Sequence, residues 1–130
     1  MKKAPGPFRK FVEAYPECGM TYEALALASR EAAGFAEKDA ELVKLALAIG
    51  SRLEGAVHSH TRRALEAGAT AAQVRGIALL GLTTLGFPQT MMGTSWIEDV
   101  LREGGKSEAK SEKKSSRKPE KKSGKKAKKK

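Results

Sequence analysis

The final stretch of this chain contains nothing with which to build a core. Residues 105–130 hold no aromatic and no branched apolar side chain, only lysine, serine, glutamate, alanine and glycine with one arginine and one proline. Ordering a backbone costs about 1–2 kcal/mol per residue, and a segment with no apolar surface to bury has nothing to offset that cost. Residues 105–130 are therefore expected to form a disordered tail, and the fold must be made from what precedes them. The formal net charge of +10 sits in the same stretch, where twelve lysines and Arg117 face only Glu108, Glu112 and Glu120. Residues 1–104 carry twelve basic and twelve acidic side chains and are neutral. Two physically different objects share one chain.

The tail is a candidate contact for nucleic acid, centred on Lys125, Lys126, Lys128, Lys129 and Lys130. Cations in such numbers release condensed counterions from a phosphate backbone and give salt-sensitive, sequence-independent binding. With no aromatic residue to stack on a base, the tail is not expected to read sequence. The plain alternative is a solubilising terminus with no defined partner.

Residues 1–104 show helical spacing throughout and no sustained period-two alternation, so the expected class is all-α, a compact bundle of about six helices with short loops. Phe8, Phe11, Val12 and Tyr15 mark a short helix closed by Pro16, within an N-terminal segment 1–19. The helical domain proper is expected over 20–104. Its first helix runs from about Thr21 to Ala33 and ends at Gly34. Asp39 is the expected N-cap of a helix carrying Leu42, Leu45, Ala46, Ile49 and Leu53, with a kink or a break between Gly50 and Gly55. Another helix covers Glu54 to Ala67. Thr70 and Gln73 make a capping-box pattern for a helix from Ala71 to about Leu85, apolar around most of its circumference and so buried on more than one side, in the core or against another subunit. The last runs from about Gln89 to Glu103, after which Gly104 and Gly105 release the chain.

Cys18 is the only cysteine, so no disulfide, CxxC pair or cysteine zinc site can form within one chain, and a reducing, cytoplasmic setting fits best. It is expected in the loop before the second helix. Met1-Lys2-Lys3 is followed by Ala-Pro-Gly-Pro instead of an apolar run, which argues against a signal peptide. The apolar stretches Leu42–Ile49 and Ile77–Leu85 are far too short for a membrane span. No membrane partner is expected.

Two histidines, His58 and His60, are the candidates for chemistry near neutral pH. Two positions apart on a helix they differ by about 200° and cannot share a metal ion, so no metal site is expected. His60 lies within about 40° of Leu53, Ala56, Ala64 and Ala67, the stripe expected to face the core. His58 aligns with Glu54 and Arg62, four residues to either side, as in a surface ion-pair row. On spacing alone, His60 reads as a hydrogen-bonded core histidine and His58 as a solvated one.

The segment His60-Thr61-Arg62-Arg63-Ala64-Leu65-Glu66-Ala67-Gly68-Ala69-Thr70, followed by Ala-Ala-Gln-Val-Arg, resembles the signature of the alkylhydroperoxidase D / carboxymuconolactone decarboxylase family. There a histidine leads a helix ending Ala-Leu-x-x-Gly-x-Thr. The resemblance spans roughly residues 20–100. In redox members a Cys-x-x-Cys precedes that histidine, and a glutamate stands about a dozen residues before the first cysteine. Carried over residue by residue, the histidine is His60 and the glutamate Glu41, while the cysteine positions hold Leu53 and Ala56. Peroxide reduction needs one thiolate to attack and a second thiol to resolve the sulfenic acid, and neither leucine nor alanine can do either. Peroxidase activity therefore ranks last among the functions considered.

Decarboxylase members work by general acid–base chemistry, which implies His60 as proton carrier and Glu41 as the carboxylate that orients its ring. His58 and Glu54 are secondary candidates. Glu41 has an ordinary alternative role in the first turn of its helix, where an acid interacts favourably with the helix dipole. Arg52, Arg62 and Arg63 are candidates by position for holding an anion. Two functions stand ahead of the redox one. One is an acid–base enzyme of decarboxylase or isomerase type, needing no cofactor and acting on a small carboxylated or carbonyl compound. The other is a non-catalytic ligand-binding or scaffolding oligomer recruited through the tail. An open cavity beside His60 favours the first and one filled by Leu53 the second. A homo-oligomer is expected from the apolar surface, a trimer or hexamer by the resemblance.

Overall fold

The computed structural model describes residues 6–115, with side chains described through residue 105. The described residues form helices α1 (Gly6–Ala14), α2 (Pro16–Ala33), α3 (Glu37–Gly50), α4 (Glu54–Glu66), α5 (Ala71–Leu80), the single turn α6 (Leu82–Leu85) and α7 (Phe87–Ser115). The all-α class expected from the sequence is what the chain adopts. Lys125, Lys126, Lys128, Lys129 and Lys130 lie outside the described residues.

The core is made where α3, α4, α5 and α7 meet. Leu45 and Ile49 from α3, Val57 and Ala64 from α4, Val74 and Ala78 from α5 and Ile97 from α7 form one buried cluster. Leu45 and Ile49, and Val74 and Ala78, are four residues apart and Val57 and Ala64 seven, so one stripe of each helix enters the cluster. α3 and α4 are the most closely packed pair. Gly93 of α7 lets that helix approach α3, since a Cβ there would stand 2.8 Å from Ile49 Cγ2. The Thr70–Gln73 capping box is fully formed, the Thr70 hydroxyl accepting from the Gln73 amide at 3.1 Å and the Gln73 side chain accepting from the Thr70 amide at 3.0 Å.

Several boundaries differ from the expected ones. Pro16 does not only stop α1; it opens α2, because the first turn needs no amide donor. Cys18 is therefore in the first turn of α2, exposed, and not in a preceding loop. Asp39 lies inside the first turn of α3, whose N-cap is Ala36 with no side-chain cap bond. The helix expected over Ala71–Leu85 breaks at Gly81. Within the single chain only Val74 and Ala78 of α5 are buried, while Leu79 and Leu80 are 66% and 74% exposed, so the core covers one side of α5. Gly104 and Gly105 do not release the chain, since the helical backbone of α7 continues to Ser115.

α1 and α2 form a hairpin that contributes little to this core. No residue of α1 is buried, and in α2 only Gly19 is, where the backbone closes against Val12 of α1. Phe8 and Tyr22 meet across the hairpin with ring centroids 5.7 Å apart and ring planes tilted by 56°. The hairpin stands against α3 and α4 across a cavity instead of being fused into the cluster.

Replacing Gly93 by alanine should destabilise the protein by about 1–3 kcal/mol, since the new methyl meets a fully packed isoleucine. Gly76→Ala in α5, where a Cβ meets nothing within 4 Å, should stabilise it by about 1 kcal/mol. Urea denaturation compares the two; equal effects would contradict the packing described.

Candidate functional site

The site begins at the turn between α3 and α4. α3 ends at Gly50 and α4 starts at Glu54, and the three residues between are held tightly. Arg52 adopts φ 56°, the left-handed region that a side-chain-bearing residue enters at some cost. Gln89, buried in the first turn of α7, holds that conformation in place. Its Nε2 donates to the carbonyls of Ile49 and Gly50 at 2.9 Å each, and its Oε1 accepts from Arg52 Nε at 3.2 Å. The turn sets α4 antiparallel to α3 and brings the start of one beside the end of the other.

Glu41, one turn into α3, is 1% exposed. Its carboxylate has two partners on two other helices. Oε2 accepts from His60 Nδ1 of α4 at 2.7 Å, and Oε1 accepts from the Arg30 guanidinium in the last turn of α2. Burial pushes this carboxyl up, but the hydrogen bonds from His60 and Arg30, with the charge of the guanidinium and that of the imidazole ring when it is protonated, outweigh it. They hold its pKa at about 2 instead of 4.5. Glu41 is thus a carboxylate at neutral pH and can only accept. The His60 nitrogen facing it must carry the proton, which leaves Nε2 of the neutral ring with a free lone pair.

His60 does not face the core. The buried stripe of α4 is Val57, Thr61 and Ala64, rotated from the expected Leu53, Ala56, Ala64 and Ala67. Leu53, Ala56 and His60 instead line a cavity of about 640 Å³ between the α1–α2 hairpin and the α3–α4 pair. Leu53 is 55% exposed and forms part of the wall without filling the space. The Leu53 and Ala56 positions, which the family resemblance assigns to cysteines, thus stand with His60 on one surface. Cys18 is not among the residues that line it.

The other candidates separate. His58 points to α7, with Nε2 3.7 Å from Asp99 Oδ2, and not along a surface row with Glu54 and Arg62. Glu54, the first residue of α4, is exposed and does not line the cavity. Arg62 pairs with Glu103 of α7 at 3.1 Å, Arg52 is held by Gln89, and only Arg63 of the three arginines reaches the cavity. Arg30 and Lys44, also in the lining, were not identified by the sequence. A basic residue in the last turn of a helix has a ready explanation in the helix dipole, and no local pattern marks Arg30 as the partner of a carboxylate eleven positions on.

The sign of the pH dependence follows from the lowered pKa of Glu41. Its stabilising contribution is complete above about pH 4.5 and is lost as pH falls from there through about 2. The stability gap between wild type and Glu41→Gln should shrink across that window by on the order of 3 kcal/mol. Urea denaturation at pH 6, 4 and 2 measures it. A gap independent of pH would contradict the arrangement.

No curated protein sequence and no solved structure matches the chain. Among the described residues, no helix is long and apolar enough to cross a membrane. The model of the carboxymuconolactone decarboxylase family matches residues 16–99, a span that includes Arg30, Glu41 and His60. The chain belongs to the carboxymuconolactone decarboxylase family.

Proposed function

We propose that the protein is an acid–base enzyme of the decarboxylase or isomerase type, acting on a small carboxylated or carbonyl compound in the cavity beside His60. The observation that carries this reading is the Glu41–His60 hydrogen bond of 2.7 Å at the wall of a cavity of about 640 Å³. That volume is of the order that holds a small organic molecule.

In this reading His60 is the catalytic residue and Glu41 positions it. Nε2 takes a proton from a carbon next to a carbonyl and returns it at another carbon for an isomerisation. For a decarboxylation, the protonated ring delivers its proton to the carbon that releases carbon dioxide. In either case the imidazolium forms beside an ionised carboxylate whose second oxygen is already held by Arg30, so no rearrangement is needed when the charge appears. Thiol-based peroxide reduction lacks its two sulfurs at Leu53 and Ala56, and Cys18 is not among the residues that line the cavity.

The apolar surface supports self-association as part of the same proposal. Leu25 and Leu27 on α2, Leu79 and Leu80 on α5 and Phe87 on α7 are each more than half exposed in the single chain. These are the apolar side chains that a second subunit would cover. A trimer or hexamer is the assembly we propose, and light scattering at micromolar concentration should return a multiple of 13.9 kDa; the mass of one chain would count against it.

A panel of small β-keto acids and carboxylated lactones, followed by proton NMR in deuterium oxide, tests the chemistry. His60→Asn should lower turnover or carbon-bound deuterium exchange by about 10²-fold or more, and Glu41→Gln should lower it too. His58→Asn, altered on the α7 side, should leave it unchanged. Activity that survives His60→Asn at the wild-type level, or no turnover of any member of the panel, would overturn the proposal.

A further inference from the structure

The net charge of the chain is concentrated at one end, and α7 carries the chain from the buried cluster into it. Among the residues whose side chains are described, Val100 is the last buried one of α7, and Arg102 through Gly105 are exposed. The helical backbone continues from there to Ser115, a further rise of about 15 Å. The acids that precede this stretch on α7 have arginine partners. Glu98 pairs with Arg75, Asp99 with Arg102 and Glu103 with Arg62. The helical domain thus meets the basic stretch with its own charges balanced.

Helical register sorts the charges of residues 106–115. At about 100° per residue, positions 106, 110, 113 and 114, all lysine, fall within a sector of about 100° around the axis. Glu108 and Glu112 fall on the opposite side, about 190° from the middle of that sector. One side of the stretch is therefore basic for about 12 Å along the axis. Ala109 is its only apolar residue, so it has no face with which to enter a lipid bilayer. Residues 116–130 continue the same composition, with nine cations, Arg117 among them, against Glu120 alone.

So many like charges in succession complement a linear polyanion and not a single compact anion. No aromatic residue stands among them to stack on a base. We propose that the basic side of α7 over residues 106–114, continued by the cations from Arg117 to Lys130, is a docking surface for the phosphodiester backbone of nucleic acid. It tethers the neutral helical domain there without reading sequence. DNA and RNA share that backbone chemistry. The cavity and His60 take no part, so this interaction stands or falls independently of the acid–base activity.

The test is fluorescence anisotropy of short labelled DNA and RNA duplexes titrated with the full chain. Affinity should fall about 10³-fold or more between about 50 and 200 mM salt and should be the same for duplexes of unrelated sequence. Replacing Lys106, Lys110, Lys113 and Lys114 together by glutamine should reduce the slope of log affinity against log salt by about 3–4. Glu108→Lys combined with Lys110→Glu leaves the net charge at +10 but moves an acid to the basic side. It should weaken binding by about threefold or more, because position and not charge alone is changed. Equal circular dichroism of variants and wild type establishes that helix content is unaltered. Binding of either duplex with this salt dependence supports the proposal, and the tighter of the two names the source. No binding of either duplex at about 50 mM salt, affinity indifferent to salt, or wild-type affinity and slope in the exchanged variant would overturn it. So would phosphatidylserine vesicles that displace a duplex at a lower concentration of negative charge, since the surface would then serve a lipid.

Discussion

Taking the Glu41 carboxylate out of water is the most demanding thing this fold does. An unpaired carboxylate in an apolar interior is unstable by several kcal/mol, and removing one partner of a buried pair costs about 3–5 kcal/mol. The chain meets this by giving each oxygen its own donor from a different helix, Arg30 from α2 and His60 from α4. The arrangement therefore constrains three helices at once. α4 must bring His60 to Glu41 while Val57 packs into the core, and the last turn of α2 must reach the start of α3 across Gly34, the left-handed residue that ends α2. The same demand sets the chemistry, because a carboxylate that stays ionised forces one tautomer on the ring beside it.

The hairpin of α1 and α2 is best understood from this bond. It adds almost nothing to the buried cluster, and many of its large apolar side chains are exposed, Tyr15, Met20 and Leu25 among them. What ties it to the body is the Arg30–Glu41 pair and the wall of the cavity. A hairpin held in this way closes a cavity without filling it. It also offers an apolar outer surface that a second subunit could cover, which is why the self-association proposed above and the integrity of the site are connected through one ion pair.

Much of this was legible in the sequence wherever the signal was local. The break between Gly50 and Gly55 and the capping box at Thr70 and Gln73 are decided within a few residues, and both formed as expected. Glu41 and His60 were paired through a family resemblance, since their separation of nineteen positions carries no local pattern. The rotation of α4 was misjudged because Val57 and Thr61 compete with Ala56 and His60 for the inward face. A helix with few large apolar residues does not decide that contest alone; α3 and α7 do, by packing Leu45 and Ile97 against it. Arg30 was missed for a similar reason, its role being set by a tertiary contact. Gly81 broke an apolar run that periodicity alone would continue, and two glycines at 104 and 105 did not end α7.

The most direct test of the central claim is the protonation pattern of the His60 ring, read by nitrogen-15 NMR at a pH where the ring is neutral. With Glu41 ionised and held by Arg30, the account predicts a single tautomer carrying its proton on Nδ1 and leaving Nε2 bare. In Glu41→Gln that preference should weaken or reverse. A neutral His60 protonated on Nε2 in the wild type, or two tautomers in rapid exchange, would contradict it.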